Sequence, residues 1–94
     1  MIVCAAIHIT YRNVAGREIT AVIPGLRHVD CWELMTTLEL PPKHERQEVE
    51  GFLDHTGAFL NRRGAYEQAR ACGQLSATTL ESKTDSVLYS EDLY

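Results

Sequence analysis

The sequence lacks any apolar run near the ~20 residues needed to span a bilayer. Its first ten residues carry no basic segment and include His8, so they do not match a signal peptide. Basic charge is also scarce, with 9 Lys and Arg against 13 Asp and Glu. DNA- and RNA-binding domains need a basic surface. We therefore expect a cytoplasmic protein that binds neither membranes nor nucleic acids.

Paired metal ligands are absent from the sequence as well. The three cysteines, Cys4, Cys31 and Cys72, are widely spaced in apolar surroundings, which favours buried, reduced thiols. The four histidines show no zinc-ligand spacing. No cysteine lies in an obviously electropositive turn and no carboxylate pair has a firm scaffold, so we predict no metal, no cofactor and no enzymatic activity.

Aromatic residues make up only 7% of the chain, so the core must consist mainly of aliphatic side chains. A chain of 94 residues forms one domain and buries roughly 60–65% of its unfolded surface. Because so small a core gives limited stability, association with further copies is an effective way to bury more surface. We expect a homo-oligomer, either a dimer or a tetramer.

Hydrophobic periodicity predicts an α+β fold in which two antiparallel β-hairpins form one sheet packed by two main helices. Alternating apolar residues at the N-terminus predict a central strand covered on both faces. The expected elements within the single domain 1–94 are a hairpin over 1–24, a helix over 30–40, a hairpin over 50–60, a helix over 61–73 and a docked tail over 86–94. Residues 43–50 are either a short solvated helix or a mobile linker, and 75–85 form a loop.

Local signals define the two predicted helices. Asp30 can cap the first helix, and the spacing predicts an apolar stripe of Cys31, Leu34, Met35 and Leu38. Asn61 can cap the second, whose face carries Ala65, Ala69 and Cys72 and which stops at Gly73. Trp32 falls off the first stripe, which indicates an edge or a subunit contact.

Cations stand near both predicted helix starts, where backbone amides favour anions. They are Arg27-His28 before the first helix and Arg62-Arg63 at the second. Arginine suits phosphate because its planar fork donates two hydrogen bonds at once. The alternative is purely structural: Arg62 and Arg63 pair with Tyr66 and Glu67, and Arg27 pairs with Glu91 or Asp92 of the tail.

Several segments together resemble a widespread family of small bacteriophage proteins. They are Met1–Ala6, the Arg27-His28 pair, Gly57–Arg62, the positions Ala65, Ala69 and Gly73-Gln74, and the tail Leu88–Tyr94. The sequence departs from the family pattern at Gly64 and in the polar segment 76–86. At least some similar proteins are sponges that sequester the cyclic nucleotides of bacterial anti-phage signalling.

The resemblance implies an anti-CBASS immune-evasion protein that holds a cyclic dinucleotide such as cyclic GMP–AMP without cleaving it, in the cytoplasm of the infected bacterium. Arginine and histidine would hold phosphates, aromatic residues would stack on bases, and amides could read base edges. The candidate ligand-binding residues are Tyr11, Arg27, His28, Asn61, Arg62, Gln74 and Tyr94. The alternative functions are a protein–protein inhibitor of a host enzyme and an accessory phage protein with no nucleotide ligand.

Overall fold

The computed structural model describes residues 1–93 and confirms the predicted α+β domain. Its elements are β1 (Ile2–Arg12), β2 (Glu18–Gly25), α1 (His28–Thr37), a 3-10 turn (Lys43–Glu45), β3 (Arg46–Asp54), β4 (Phe59–Asn61), α2 (Arg62–Ala71), α3 (Ala77–Ser82) and a second 3-10 turn (Ser90–Asp92). The candidate binding residue Tyr94 lies outside the described residues.

The four strands form one antiparallel sheet in the order β2-β1-β3-β4. β1 and β2 form the first predicted hairpin, and β3 and β4 form the second. β1 lies in the interior of the sheet, as predicted, because it pairs with β2 on one side and β3 on the other. A register shift between Ile2 and Cys4 brings Ile2 into the core.

The core lies between one face of the sheet and the helices. Ile7 and Ile9 of β1 and Phe52 of β3 are fully buried on this face. The other members of the same cluster are Ile2, Ala5, Ile23, Cys31, Met35, Ala65, Ala69, Leu75 and Leu88. Ala65 and Ala69 face the sheet, as the sequence predicts. Their small side chains allow the helix to approach the sheet closely.

The prediction that both faces of β1 are covered is wrong. In the part of the chain that the structure describes, both main helices pack on the face that carries Ile7 and Ile9. On the opposite face Val22 of β2 and Val49 of β3 remain exposed. Apolar residues on both faces of β1 suggested a strand between two layers, but the described chain supplies helices for one face only.

α1 begins at His28 and not at Asp30, which corrects the predicted cap. Arg27 is the N-cap residue, and the Asp30 carboxylate accepts a hydrogen bond from the Arg27 backbone N–H at 3.0 Å. The predicted apolar stripe is also half wrong, because Leu34 and Leu38 are exposed while Cys31 and Met35 are buried. The helix starts two residues earlier than predicted and ends at Thr37. Leu38 is the C-cap residue and does not belong to the helical face that packs on the sheet.

Two segments fold into elements that the sequence pattern did not predict. Residues 46–49 extend β3 beyond the predicted hairpin, because they pair with residues 8–11 of β1 despite their charge. Ala77–Ser82 is a short helix capped by Ser76, whose hydroxyl accepts from Thr79 N–H at 3.1 Å. Of the three thiols, all free, only Cys31 is fully buried and Cys72 is exposed, against the expectation that each is buried.

Candidate anion-binding pocket

Two arginines from separate helix starts line one small pocket. Arg27 is the N-cap residue of α1 and Arg62 is the first residue of α2, 35 positions later in the chain. The pocket has a volume of about 230 Å³. The starts of α1 and α2 form two of its sides, and the C-terminal tail forms the third. Its lining residues are Arg27, His28, Val29, Arg62, Tyr89, Ser90 and Glu91. The structure therefore brings together three of the candidate residues, Arg27, His28 and Arg62.

Strand pairing positions the two helix starts. β4 pairs with β3 through Gly51 and Asn61, and α2 begins at the next residue. The Asn61 side chain accepts a hydrogen bond from Gly64 N–H at 2.8 Å, so Asn61 is a helix cap, as the sequence predicts. His28 at the start of α1 contacts the Gly51 carbonyl of the same β3 segment. Both helices thus start beside Gly51.

Both ring nitrogens of His28 have partners. Nε2 lies 2.8 Å from the Gly51 carbonyl oxygen, which can only accept, so Nε2 carries the proton. Nδ1 lies 3.1 Å from the Ser90 hydroxyl, which can then donate to it. Burial lowers the pKa of His28, and the charge of Arg62 lowers it further against the opposing hydrogen bond to Gly51. The lowered pKa favours the neutral form of the ring at pH 7, in which it links β3 to the tail without contributing a charge for phosphate.

Arg62 contacts three groups around the pocket. One guanidinium nitrogen donates to the Leu88 carbonyl oxygen at 2.7 Å, and another lies 3.5 Å from the Glu50 carboxylate. Its guanidinium carbon also lies 4.9 Å from the centroid of the Tyr89 ring. The predicted pairing of Arg62 with Tyr66 is not what the structure shows. The ion pair with Glu50 is partly exposed, and such pairs contribute only about 0–1 kcal/mol.

The tail up to Leu93 is docked, as predicted, and it packs against its own chain. Leu88 is fully buried and Ser90 is buried beside His28. Asp92 pairs with Lys83 at 2.7 Å, which replaces the predicted pairing of Asp92 with Arg27. Burial tends to lower the pKa of Lys83, but hydrogen bonds to Asp92 and Asp85 outweigh this and raise it. The lysine is thus held charged next to the Tyr89 ring, 4.9 Å away.

The other candidate residues lie elsewhere. Tyr11 is near the far end of β1, in a separate open cleft of about 1170 Å³ between the first hairpin and residues 38–47. Gln74 binds the backbone of Ile2, accepting from its N–H at 2.6 Å and donating to its carbonyl at 2.9 Å. Gln74 therefore fixes the start of β1. It is not among the residues that line the pocket.

The structure adds Ser90, Glu91 and Tyr89 to the pocket. Glu91 is one of the tail residues that the structural alternative placed beside Arg27, and both line the pocket. No local pattern pointed to Ser90 or to Tyr89. The apolar character of the tail was the sequence signal for these residues, because a docked tail must pack against some element of the fold. Which element it reaches depends on tertiary packing.

The sequence model of one family, described as the phage T4 y16D protein, matches residues 1–94. Comparison with curated proteins and with solved structures gives no match. Within residues 1–93, no helix is long and apolar enough to cross a membrane, and no group of His, Cys, Asp or Glu is arranged to hold a metal ion.

Proposed function

This chain belongs to the phage T4 y16D protein family, and we propose that it sequesters a cyclic nucleotide defence signal in the infected bacterium without cleaving it. One observation carries the proposal: Arg27 and Arg62, far apart in sequence, line the same pocket at two helix N-termini. Helix N-termini present backbone amides and a positive dipole end, so together with arginine they favour a phosphate group.

The pocket's size limits what it can enclose. Sites for drug-sized ligands usually have volumes of about 300–1,000 Å³, and this one has about 230 Å³. It can hold one phosphate with part of its ribose, while the bases extend over the neighbouring surface. Tyr89, which is partly exposed at the rim, is the aromatic residue nearest to such a base.

Arg27 and Arg62 are the phosphate-binding groups in this proposal, and His28 is a neutral positioning residue. A phosphate replaces Glu50 at Arg62, because that ion pair is long and half exposed. Ser90 stays fixed by His28 at the pocket wall. The Ser90 hydroxyl lies within hydrogen-bond distance of His28 Nδ1, but Ser90 is buried in the pocket wall. We therefore propose that this pair fixes the wall and that the nucleotide is bound and released intact.

The test is thermal melting of the protein with a panel of cyclic di- and trinucleotides. A ligand at a hundred times its Kd adds about 2.7 kcal/mol of stability, which raises Tm by roughly 10 °C or more in a domain of this size. We expect Arg27→Ala to abolish the shift. Arg63→Ala is the matched control, because it removes the same charge from an exposed neighbour outside the pocket lining, and it should keep the shift.

Two further results decide the class of function. The nucleotide released by heating should be chemically unchanged, whereas an altered product would indicate an enzyme. Glu50→Gln should bind at least as tightly, because it removes a carboxylate that competes for Arg62. A panel without any shift at ligand concentrations well above micromolar would contradict the proposal and favour the alternative, an inhibitor that binds a host protein.

A further inference from the structure

The sheet face opposite the helices carries no charged residue over most of its area. We call it the open face. In a chain with 23% charged residues, the register places only apolar or neutral polar side chains on this face up to the Thr10–Thr20 pair, and the charged pair Arg12–Glu18 follows at the turn end. The open face consists of Cys4, Ala6, His8 and Thr10 of β1, Thr20, Val22 and Pro24 of β2, Gln47, Val49, Gly51 and Leu53 of β3, and Phe59 of β4.

The centre of the open face is a row of three residues in direct register. His8 pairs with Val22 on one side and with Val49 on the other. The two valines are 36% and 49% exposed, so their apolar surface faces solvent. The ring of Phe59 extends from β4 toward His8, with the two ring centroids 5.4 Å apart. Together these side chains form a continuous apolar patch.

The middle of the open face is lined by small residues, which allow another sheet to approach closely. Ala6 is fully buried between its neighbours although no second layer covers it in the described chain. Gly51 leaves room for Phe59 to lie across the sheet, since a Cβ at this position would lie 2.6 Å from the ring. Small residues along the middle and larger ones at the sides give a shallow surface that an identical surface can match.

The chain is less compact than its mass predicts. Its accessible surface is 5974 Å², whereas a folded monomer of this mass is expected to expose about 5,500 Å². Its radius of gyration is 14.5 Å, against about 12 Å for a compact domain of this length. The excess of roughly 500 Å² accompanies the elongated shape of the chain, 49 Å in its longest extent, and leaves more surface in contact with solvent than a compact monomer of this mass exposes.

We propose that the open face is covered by the open face of a second copy, so that two four-stranded sheets pack as a sandwich. Stacked sheets lie about 10 Å apart with their strands inclined by about 30°. The face is some 20 Å long on three strands, and β4 adds only a three-residue segment, so its projected area is roughly 350 Å². Two such faces bury about 700 Å² or more in total, the size of a small interface, and the dimer is therefore weak and reversible.

A second copy fits this face better than a partner selected by charge. Each chain carries a formal charge of −4, so two copies repel each other wherever their acidic surfaces meet. The open face brings no charges into contact, and a twofold arrangement near His8 places valine and phenylalanine of both copies in the interface. The anion-binding pocket lies on the helix side of the sheet, so this proposal does not rest on the proposed function.

Sedimentation of the purified chain over a range of concentrations tests the dimer. We expect dimers at about 100 μM chain and dissociation near or below about 1 μM, as for a complex of micromolar Kd. Val49→Lys should weaken association at least tenfold, because it places an unpaired charge inside the interface. Val22→Lys tests the opposite side of His8 and should have the same effect.

Val14→Lys is the matched control, because Val14 is fully exposed in the turn between β1 and β2, outside the open face. It should leave the dimer unchanged, as should Arg27→Ala in the pocket. Melting curves at dilute protein confirm that each variant is folded. A wild-type chain that stays monomeric at 100 μM, or folded Val49→Lys and Val22→Lys variants that both remain dimers, would overturn the proposal.

Discussion

Asp54 holds the turn between β3 and β4 with a single carboxylate. One oxygen accepts from Thr56 N–H at 2.9 Å, from the Thr56 hydroxyl at 2.6 Å and from Ala58 N–H at 3.0 Å. The other accepts from the Gln68 amide at 3.2 Å, which ties the turn to α2. These hydrogen bonds, led by those from Thr56 and Gln68, hold the pKa of Asp54 far below its usual range. The sequence predicts a turn here, but not its link to the helix.

The lowered pKa of Asp54 makes stability depend on pH in the acid range. A carboxylate with a depressed pKa stabilises the fold above its unfolded value of about 3.9, and this contribution is lost as the pH falls below that value. We expect Asp54→Asn to be less stable than the wild type at pH 7 and to lose less further stability between pH 5 and pH 2. Urea midpoints measured across this range provide the comparison.

Glu81→Gln is the control for this prediction, because it neutralises an exposed carboxylate on α3. It should reproduce the wild-type loss of stability in acid. If Asp54→Asn and the wild type lose the same stability between pH 5 and pH 2, another group controls acid unfolding.

At the scale of elements, two glycines have opposite roles. Gly51 lies in β3 where the strand meets β4, and a Cβ there would lie 2.1 Å from the Leu60 carbonyl oxygen, which is backbone and cannot move aside. Gly64 lies in the first turn of α2, where the nearest atom to an added Cβ is the Asn61 side-chain oxygen at 3.4 Å. The first glycine is required for strand pairing, whereas the second is tolerated.

Replacing each glycine with alanine therefore changes stability in opposite directions. Gly51→Ala should lower the free energy of unfolding by about 3 kcal/mol or more, because it overpacks the β3–β4 pair. Gly64→Ala should raise it by about 0.5–1 kcal/mol, because alanine loses less backbone entropy in a helix. Urea unfolding of both variants measures this, and the two serve as controls for each other. Equal effects would show that β4 adjusts freely.

The whole molecule is long and narrow, with extents of 49 × 21 × 21 Å. The tail spans its middle, where the N–H of Leu88 donates to the Arg62 carbonyl at 2.9 Å and its own carbonyl accepts from the Arg62 side chain. The Leu88 side chain is buried in the same cluster as β1, α1 and α2. The tail therefore joins elements that are distant in sequence and closes the pocket at the same time.

Leu88→Ala tests this joining role of the tail. Removing a fully buried leucine side chain should cost about 2–5 kcal/mol, and loosening the tail should also weaken the melting shift given by a nucleotide. Leu80→Ala is the matched control, because it makes the same change at a partly exposed position on α3 and should cost less than about 1 kcal/mol. Chemical denaturation of both variants measures the difference. Comparable losses would mean that the tail contributes little to the core.

Part of the fold could be predicted from local patterns. The alternation in β1 and β2, the Asn61 cap, the alanine face of α2 and the stop at Gly73 are all short-range signals, and each is confirmed. The predicted start of α1 was two residues late, because Asp30 fits both the cap position and the third position of the first helical turn. Only the packing of the helix selects between these two positions. The strand over residues 46–49 was not predicted because these residues are mostly charged or polar and show no apolar alternation. Pairing with β1 stabilises the strand there.

The sequence by itself determined the class of the fold, the two hairpins and the cations at the helix starts, because such signals depend on residues within a few positions of one another. Tertiary structure alone decided that Arg27 and Arg62 share a pocket, that His28 is held neutral and that Tyr11 and Gln74 lie elsewhere. It also decided that residues 1–93 leave one sheet face without a covering layer from the same chain. These features depend on strand order and on the path of the tail, which form through contacts between residues far apart in the chain.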